Sequence, residues 1–218
     1  MSGRLAAVEV LNFWYGYTRQ ELKTIVKPNK AQMAVWFGSR EEDDILIRRN
    51  FGAHLAETSA LYDSEGAFET RPKLAFEELL ADIITLDQFT RVVHRKTARA
   101  FENDSKALRL AYAALARDDA DMSPLERMFV ELPLMHSEDV AVHERLLSMR
   151  GIDIPRDVDA ALTSTDFAVK HWAVVKKFNR YPYRNKALGR HSSAACRRRF
   201  PAHYRSGTAF CNPYFEGL

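Results

Sequence analysis

The sequence predicts an all-α protein built from packed helix pairs. Apolar residues recur at helical spacing along most of the 218 residues, and the strict alternation that marks strands is nearly absent. Helices joined by short turns can bury their apolar stripes only against one another. The pattern therefore predicts a bundle or an irregular superhelical stack. The sequence shows no self-similarity at a period near about 34 residues, so regular repeats are not predicted.

Length and composition favour one globular domain over residues 1–190. The 46% share of hydrophobic residues and the 28% share of charged residues are typical of such domains. No apolar run approaches the roughly 18 residues of a membrane-spanning helix. The first residues continue in helical period with Glu9 among them, unlike a secretory leader, so we expect no membrane association.

Residues 191–218 form a basic, atypical C-terminal tail. They carry four arginines and one glutamate, which accounts for the whole net charge of +3. A neutral body with a short basic tail does not favour nucleic acid, which needs a broad cationic face. Both cysteines, Cys196 and Cys211, lie in the tail without metal-type spacing, which favours a reducing compartment and predicts a cytoplasmic protein. The sequence contains no phosphate loop and no dinucleotide-binding motif, so no cofactor is predicted.

Start and stop signals place the individual helices. Gly16 suits the left-handed end of a first helix, and Ser123 with Glu126 forms a capping box ahead of Pro124. Pro133 should interrupt the helix that follows, and Ser137 can restart it. The predicted helices are Leu5–Gly16, Ser39 to about Tyr62, Lys73 to about Arg91, Asn103 to about Asp118, Ser123–Gly151 with its interruption, and a helix pair within Asp157–Phe178. Residues 17–38 and Asp63–Pro72 are expected to be irregular.

A carboxylate lies where the pattern expects an apolar residue. On an α-helix Asp87 falls between the directions of Ile83 and Ile84, so its side chain should be at least partly buried and paired. Arg91 and His94 are local partners, and Arg180 and Arg184 are distant ones. An ion pair that only fixes helix register and a binding-site role are both consistent with this position.

A second polar cluster is Leu132-Pro-Leu-Met-His-Ser-Glu-Asp139. If the helix includes His136, that residue shares a face with Val140, His143 and Leu147, with Asp139 at the edge, as metal ligands could. If Ser137 is the N-cap, this geometry fails. Two histidines and one carboxylate are too few to define a metal site, so none is predicted.

The third cluster, Lys177–Arg190, has five cations, three aromatic residues and no acid. Pro182 keeps Tyr181 out of the helical region, which predicts a turn that displays its side chains. Displayed arginines suit carboxylate or phosphate ligands. Alternatively, Arg180 and Arg184 pair with Asp87, Glu138 and Asp139 and lock the last helices onto the body.

Six ordered motifs resemble the bacterial family called domain of unknown function 924, over most of residues 8–190. The motifs are Val10-Leu-Asn-Phe-Trp-Tyr-Gly16, Trp36-Phe37, Ile84-Thr-Leu-Asp-Gln-Phe-Thr-Arg91, Ala100-Phe101 with Asp104, Leu132-Pro-Leu-Met-His-Ser-Glu-Asp139 and Arg180-Tyr-Pro-Tyr-Arg-Asn-Lys-Ala-Leu-Gly-Arg190. The resemblance implies antiparallel helix pairs of the tetratricopeptide-like superhelical class. It implies no function, because the family is uncharacterised.

The resemblance also selects polar residues by position. They are Asp87, Gln88, Arg91, His136, Ser137, Glu138, Asp139, Arg180, Arg184 and Asn185. The sequence departs from the family at His143, where glutamine is expected, and at Tyr181 and Tyr183, which replace phenylalanine and histidine. The serine- and threonine-containing acidic helix expected after Arg190 is also missing, and an altered reading frame or a divergent end would explain that ending.

Three functional hypotheses follow. The first is a binding protein in which Asp87, Gln88, Arg91, His136, Glu138, Asp139, Arg180, Arg184 and Asn185 line a polar groove for a small anionic ligand or a peptide or protein partner. The second is a hydrolase with His136 as base, oriented by Glu138 or Asp139 and metal-assisted in one version. The third is a purely structural polar network. A homodimer is one option for the oligomeric state, because Phe13-Trp-Tyr15 suits a core or a dimer contact.

Overall fold

The computed structural model describes residues 5–25, 27–38, 41–64, 66–70, 75–117 and 121–192. Within these ranges all regular structure is helical and there is no strand, which confirms the all-α class. The α-helices are α1 Ala7–Tyr15, α2 Arg19–Leu22, α3 Lys30–Phe37, α4 Glu41–Leu61, α5 Ala67–Thr70, α6 Phe76–Ile84, α7 Thr90–Val93, α8 Asp104–Leu115, α9 Pro124–His136, α10 Val140–Met149, α11 Val158–Ala161 and α12 Phe167–Phe178. Among the described helices, none is long and apolar enough to cross a membrane.

The chain divides into two compact units, one that ends at Pro133 and one that begins at Leu134. The boundary falls inside α9. The single domain over residues 1–190 and the antiparallel, tetratricopeptide-like order of its helices stay predictions. Apart from His191 and Ser192, the tail lies outside the described residues, including both cysteines.

The N-terminal unit is organised around α6, which packs against α1 and α8. Leu80, Ile83 and Ile84 on α6 are fully buried. Beside them lies an aromatic cluster in which the Trp14 ring centroid is 5.5 Å from that of Phe89. The Phe129 ring lies 5.3 Å from Trp14 and 4.9 Å from Trp36. Because aromatic side chains bury large areas, this cluster fixes the first turns of the chain in the core.

The C-terminal unit is built on α12, which packs against α10 and α11. Val174, Val175 and Tyr181 are fully buried at its centre, with Val140 and Tyr183 packed against them. Aspartates begin all three helices, since the side chains of Asp139, Asp157 and Asp166 each accept a backbone N–H of the following turn. Tyr181 lies beyond α12 but belongs to this core, so the polar C-terminal turn is anchored from inside.

Helix ends occur where glycine and capping residues predict them. Gly16 and Gly151 both have φ of 67°, the left-handed conformation that closes α1 and follows α10. The Ser123 backbone N–H donates to Glu126 Oε2 at 2.8 Å, and the Glu126 N–H donates to Ser123 Oγ at 3.3 Å. This is the predicted capping box, and it starts α9 at Pro124.

Residues 17–38 are more ordered than predicted. Thr18 caps α2 by accepting the backbone N–H of Glu21, and Asn29 caps α3 in the same way with Gln32. Both are capping boxes, whose side chains satisfy the free amides that would otherwise disfavour such short helices. Proline at position 28 precedes the cap and so does not break α3.

Other predicted boundaries also shift. The loop Asp63–Pro72 contains the short helix α5, and a 3₁₀ turn, Ala98–Phe101, precedes α8. Asn103 stands at the start of α8 without a side-chain capping bond, because its side chain bonds Thr90 Oγ1 and Ser59 Oγ instead. The predicted boundaries at Ser39, Lys73 and Asp118 lie outside the described residues.

The prediction that Pro133 interrupts the helix is wrong, because α9 continues through it to His136. An interior proline costs about 3 kcal/mol. Leu132, Leu134 and Met135 around it are all buried, and burying such a side chain contributes roughly 1.5–3 kcal/mol. The burial of these three side chains contributes more stability than the helix loses with one backbone hydrogen bond.

Two glycines provide a matched test of this backbone. Gly16→Ala is expected to destabilise the protein by about 1 kcal/mol, because φ is 67° and a Cβ would lie 2.9 Å from Gln32 Nε2. Gly52→Ala, inside α4 where a Cβ meets nothing within 4 Å, is expected to stabilise it by about 0.5–1 kcal/mol. Urea titrations of both variants measure this, and a stabilising Gly16→Ala would contradict the assigned helix end.

Candidate functional site

The first predicted cluster lies in a π-helical segment, Thr85–Phe89, between α6 and α7. Asp87 and Gln88 within it are 1% and 8% exposed. Such segments widen a helix by one residue per turn and often occur at functional sites. The sequence correctly predicts a buried carboxylate here, although periodicity alone does not reveal the wider turn.

Asp87 is paired within the N-terminal unit. Gln88 Nε2 donates to its carboxylate at 2.5 Å, and Arg91 Nη2 lies 3.4 Å from Asp87 Oδ1. Arg91 also donates to Asp104 Oδ1 at 2.7 Å and to the carbonyl of Ala100. Arg91 is thus a local partner of Asp87, as the spacing predicts, and it ties the π segment to the start of α8.

His94, the other local candidate, faces Glu102 instead, with 3.6 Å between Nε2 and Oε1. Partial burial, together with the charge of Arg99, lowers the pKa of His94 despite the nearby Glu102 carboxylate. The imidazole is therefore biased toward its neutral form, and Arg91 supplies the local charge.

The second cluster contains a break between two helices. His136 is the last residue of α9, and Asp139 rather than Ser137 caps α10, accepting the Ala141 N–H at 2.9 Å. Ser137 Oγ instead accepts the Asp139 N–H. His136 and His143 therefore do not share one helix face, which removes the metal geometry considered for them. In the part of the chain described, no three His, Cys, Asp or Glu side chains are arranged to hold a metal ion.

Three buried side chains satisfy the carbonyl groups at the end of α9. Tyr181 Oη donates to the Met135 carbonyl, and Arg184 Nη2 donates to the His136 carbonyl at 2.9 Å. His143 Nε2 lies 2.8 Å from the Ser137 carbonyl. The last carbonyls of a helix have no partner within it, so these residues form a side-chain cap. This explains why a tyrosine, an arginine and a histidine are buried together.

The prediction that the third cluster displays its side chains is wrong for three of its residues. Pro182 does hold Tyr181 in extended backbone, with φ −89° and ψ 106°, and a 3₁₀ turn, Pro182–Arg184, follows. However, Tyr181, Arg184 and Asn185 are 0%, 4% and 1% exposed. The Arg184 guanidinium carbon lies 4.8 Å from the Tyr181 ring centroid, so stacking and carbonyl bonding offset the loss of water.

Glu138 is bonded to the C-terminal turn, but through a residue that the sequence did not single out. Its carboxylate accepts the Tyr181 N–H at 2.8 Å and Arg190 Nη1 at 2.6 Å. The proposed pairing of acids in the second cluster with the third cluster is thus realised at Glu138 by Arg190. Arg180 is half-buried on the same turn.

His136, His143, His171, Arg184 and Asn185 are defined here as the C-terminal cluster; all five side chains are buried. Desolvation lowers the pKa of His143 to about 4, and the charges of His136 and Arg184 act in the same direction. Desolvation lowers the pKa of His171 to about 3, again with contributions from His136, His143 and Arg184. His171 was missed by the sequence because a histidine among the apolar residues of α12 looks like any core position.

Two buried acceptors in this cluster are without a hydrogen-bond donor in the structure, His143 Nδ1 and Asn185 Oδ1. Since His143 Nε2 faces a carbonyl, it carries the ring proton, and Nδ1 must be a bare acceptor. Asn185 Nδ2 donates to Ser192 Oγ at 3.2 Å, which leaves its oxygen. Buried polar atoms are nearly always bonded, so each of these two exceptions marks a position where a donor belongs.

These features define an all-helical protein whose C-terminal unit contains a buried basic cluster. Residues 10–200 match the model of the family described as bacterial protein of unknown function, DUF924, and the chain belongs to that family. A solved structure of a protein of unknown function from Agrobacterium tumefaciens is similar, with a TM-score of 0.64 and 25% sequence identity, covering 88% of this chain and 94% of that one. Among curated proteins, none matches this sequence.

Proposed function

We propose that this protein binds a small anion that carries a hydroxyl group, through its C-terminal cluster. The observation that supports this most directly is the burial of one guanidinium and three imidazoles together, with two acceptors lacking donors. The hydroxyl group of such an anion would donate to these acceptors, and its anionic group would lie in the field of Arg184. Small hydroxycarboxylates and phosphate esters have this chemistry.

Arg184 supplies the positive charge of the cluster, because its guanidinium group cannot lose its proton. Its field lowers the pKa of both His143 and His171, so it lies within electrostatic reach of both rings. At an effective dielectric constant near 20, a carboxylate about 4 Å from such a cation gains roughly 4 kcal/mol.

The buried acceptors of His143 and Asn185 favour a ligand that can donate a hydrogen bond. An inorganic anion without protons would leave His143 Nδ1 and Asn185 Oδ1 without donors, whereas a hydroxyl group supplies one. The proposal thus selects among anions by chemistry as well as by charge. In this proposal Arg184, His143 and Asn185 contact the ligand, while Glu138, Asp139 and Arg190 position the turn.

The contacts support binding over the hydrolase alternative. A hydrolase would need Glu138 or Asp139 to orient His136, whereas both carboxylates hold backbone and arginine groups. The contacts of Asp87, Gln88 and Arg91 support the structural alternative for those three residues. A peptide or protein partner, a homodimer and a role for Arg180 stay sequence predictions.

Calorimetric titration of glycolate into the full-length protein tests the proposal. Glycolate is expected to bind, and Asn185→Leu is expected to weaken binding at least about tenfold, the equivalent of one lost hydrogen bond of roughly 1.4 kcal/mol. The leucine keeps the approximate shape of the side chain and removes its acceptor. Asn179→Gly, on the same turn at φ 52°, is the matched control and should bind normally.

Titrations of glycerol and acetate test whether binding needs both the charge and the hydroxyl group. Glycerol has hydroxyl groups without charge, and acetate has charge without a hydroxyl, so both should bind more weakly than glycolate. Equal binding of all three, or glycolate binding unaffected in a folded Asn185→Leu variant, would contradict the proposal.

A further inference from the structure

Helix α4 of the N-terminal unit presents two large apolar side chains to solvent. Ile45 and Leu46 are 54% and 44% exposed, although other side chains of the same helix, such as Ile47 and Phe51, are buried in the core. Among the residues that the structure describes, they are the only large exposed apolar side chains that are adjacent in the chain. Scattered exposed apolar residues are ordinary, whereas adjacent ones rimmed by charges indicate a contact surface.

Charged side chains flank this apolar pair on the same side of α4. Glu42 precedes Ile45 and Leu46 by three and four residues, and Arg49 follows Leu46 and Ile45 at the same spacing. Residues three and four positions apart share one face of a helix, and all four side chains are exposed. These four residues are called the α4 face. Along the helix the face has an acid, then the apolar pair, then a base.

The two charges of the α4 face cannot pair with each other within one chain. Glu42 and Arg49 are seven residues apart, which is about 10 Å along the helix axis. The residues three and four positions away from Arg49 are apolar or glycine in both directions, so α4 itself offers Arg49 no acid. Arg49 also makes no hydrogen bond or ion pair among the described residues. Its guanidinium group is thus available to an acid from outside the chain.

A second copy of the chain supplies that acid. If two α4 helices pack antiparallel across a two-fold axis between Ile45 and Leu46, Glu42 lies opposite Arg49 of the partner subunit. Arg49 then lies opposite Glu42 of the partner subunit, and the two apolar pairs cover each other. Burial of the apolar pairs favours association, and the two ion pairs at the rim determine the direction and register of the helices.

We infer that the protein forms a weak homodimer through the α4 face, with the two helices antiparallel. A contact confined to one helix crossing is smaller than the roughly 1,200 Å² of a standard stable interface, so the dimer is transient and depends on protein concentration. The aromatic segment Phe13-Trp-Tyr15 is not the contact, since Trp14 and Tyr15 are 1% and 0% exposed. The inference does not depend on the proposed anion site, because the α4 face belongs to the N-terminal unit.

Sedimentation velocity of the full-length protein at increasing concentration and low salt tests the inference. The wild-type protein is expected to change from monomer toward dimer between about 10 µM and about 1 mM, the range in which weak interfaces associate. Arg49→Glu and Glu42→Arg each place two like-charged pairs across the contact. Each variant alone is therefore expected to associate at least about tenfold more weakly than the wild type.

An equimolar mixture of the Arg49→Glu and Glu42→Arg variants is the most specific measurement. In a mixed dimer both rim contacts again join an acid to a base, because one subunit carries two acids and the other carries two bases. Association of the mixture should therefore return to near the wild-type level, although neither variant associates alone. Only an antiparallel contact that places residue 42 opposite residue 49 gives this result.

A matched control separates this contact from a general effect of charge. Arg156→Glu makes the same change at an exposed arginine of the C-terminal unit and should leave association unchanged. Circular dichroism verifies that each variant keeps its helix content. A wild-type protein that stays monomeric at every concentration would assign the face to a different partner and overturn the inference. Association unaffected by both single variants, or a mixture that stays monomeric, would overturn it as well.

Discussion

Replacing Arg184 by alanine is expected to destabilise the C-terminal unit by about 2–4 kcal/mol, one of the two largest effects foreseen for this protein. The variant loses the bond to the His136 carbonyl at 2.9 Å and the stacking on Tyr181. It also leaves a buried carbonyl without its donor and a space where the guanidinium lay. Thermal and urea unfolding of the purified variant measure the loss.

Arg180→Ala is the matched control for this prediction. Arg180 is half-buried on the same turn, so its replacement is expected to change stability by no more than about 0.5 kcal/mol. Arg184→Lys should recover only part of the loss, because an ammonium group does not reproduce the planar stacking. Equal stabilities of Arg184→Ala and Arg180→Ala would contradict the capping role of Arg184.

Stability is expected to fall steeply as the pH decreases from about 6.5 to about 4. The pKa of His143 is about 4 and that of His171 about 3 in the folded protein, whereas an unfolded histidine titrates near 6.5. Above 6.5 both rings are neutral in both states, and their contribution is fully present. Below pH 6.5 the two histidines take up protons in the unfolded chain but not in the folded protein. Each pH unit therefore lowers the free energy of unfolding by up to about 2.7 kcal/mol for the two histidines.

The charged groups around the two imidazole rings are consistent with a lowered pKa for both histidines. His143 experiences His136 and Arg184, which disfavour protonation, and Asp139, which favours it only weakly by comparison with desolvation. His171 experiences His136, His143 and Arg184 and bonds the Phe167 carbonyl through Nδ1. Burial dominates at both rings, so the neutral forms persist well into the acid range.

His143→Gln removes one of the two imidazole groups that titrate. Glutamine can still donate to the Ser137 carbonyl but does not titrate, so the variant should lose stability about half as steeply between pH 6 and pH 4.5. Chemical denaturation across this pH range gives both slopes. A wild-type slope equal to that of the variant would show that His143 is protonated in the folded state.

The sequence predicted those parts of the fold that depend on local chemistry. Gly16, Gly151 and the Ser123–Glu126 box mark helix ends because backbone conformation and capping act within a few residues. Asp87 was recognised as buried because its position on the apolar stripe is also local. Its pairing with Arg91 follows from the spacing of one helical turn.

The sequence predictions are wrong where the burial of side chains determines the structure. Pro133 is tolerated because its neighbours are buried, and the burial of Arg184 depends on carbonyl groups almost fifty residues earlier in the chain. Neither fact can be found from periodicity or composition. For the same reason Arg190 and His171 were missed, since each depends on contacts between distant segments.

In the proposed site, His143 Nδ1 receives a hydrogen bond from a small hydroxyl-bearing anion. Nitrogen NMR of the histidine rings tests it most directly, in the full-length protein with and without saturating glycolate. Glycolate is expected to move the His143 Nδ1 resonance toward that of a hydrogen-bonded acceptor, because its hydroxyl group donates to the neutral ring nitrogen. An unchanged Nδ1 resonance with glycolate bound would contradict the proposed hydrogen bond.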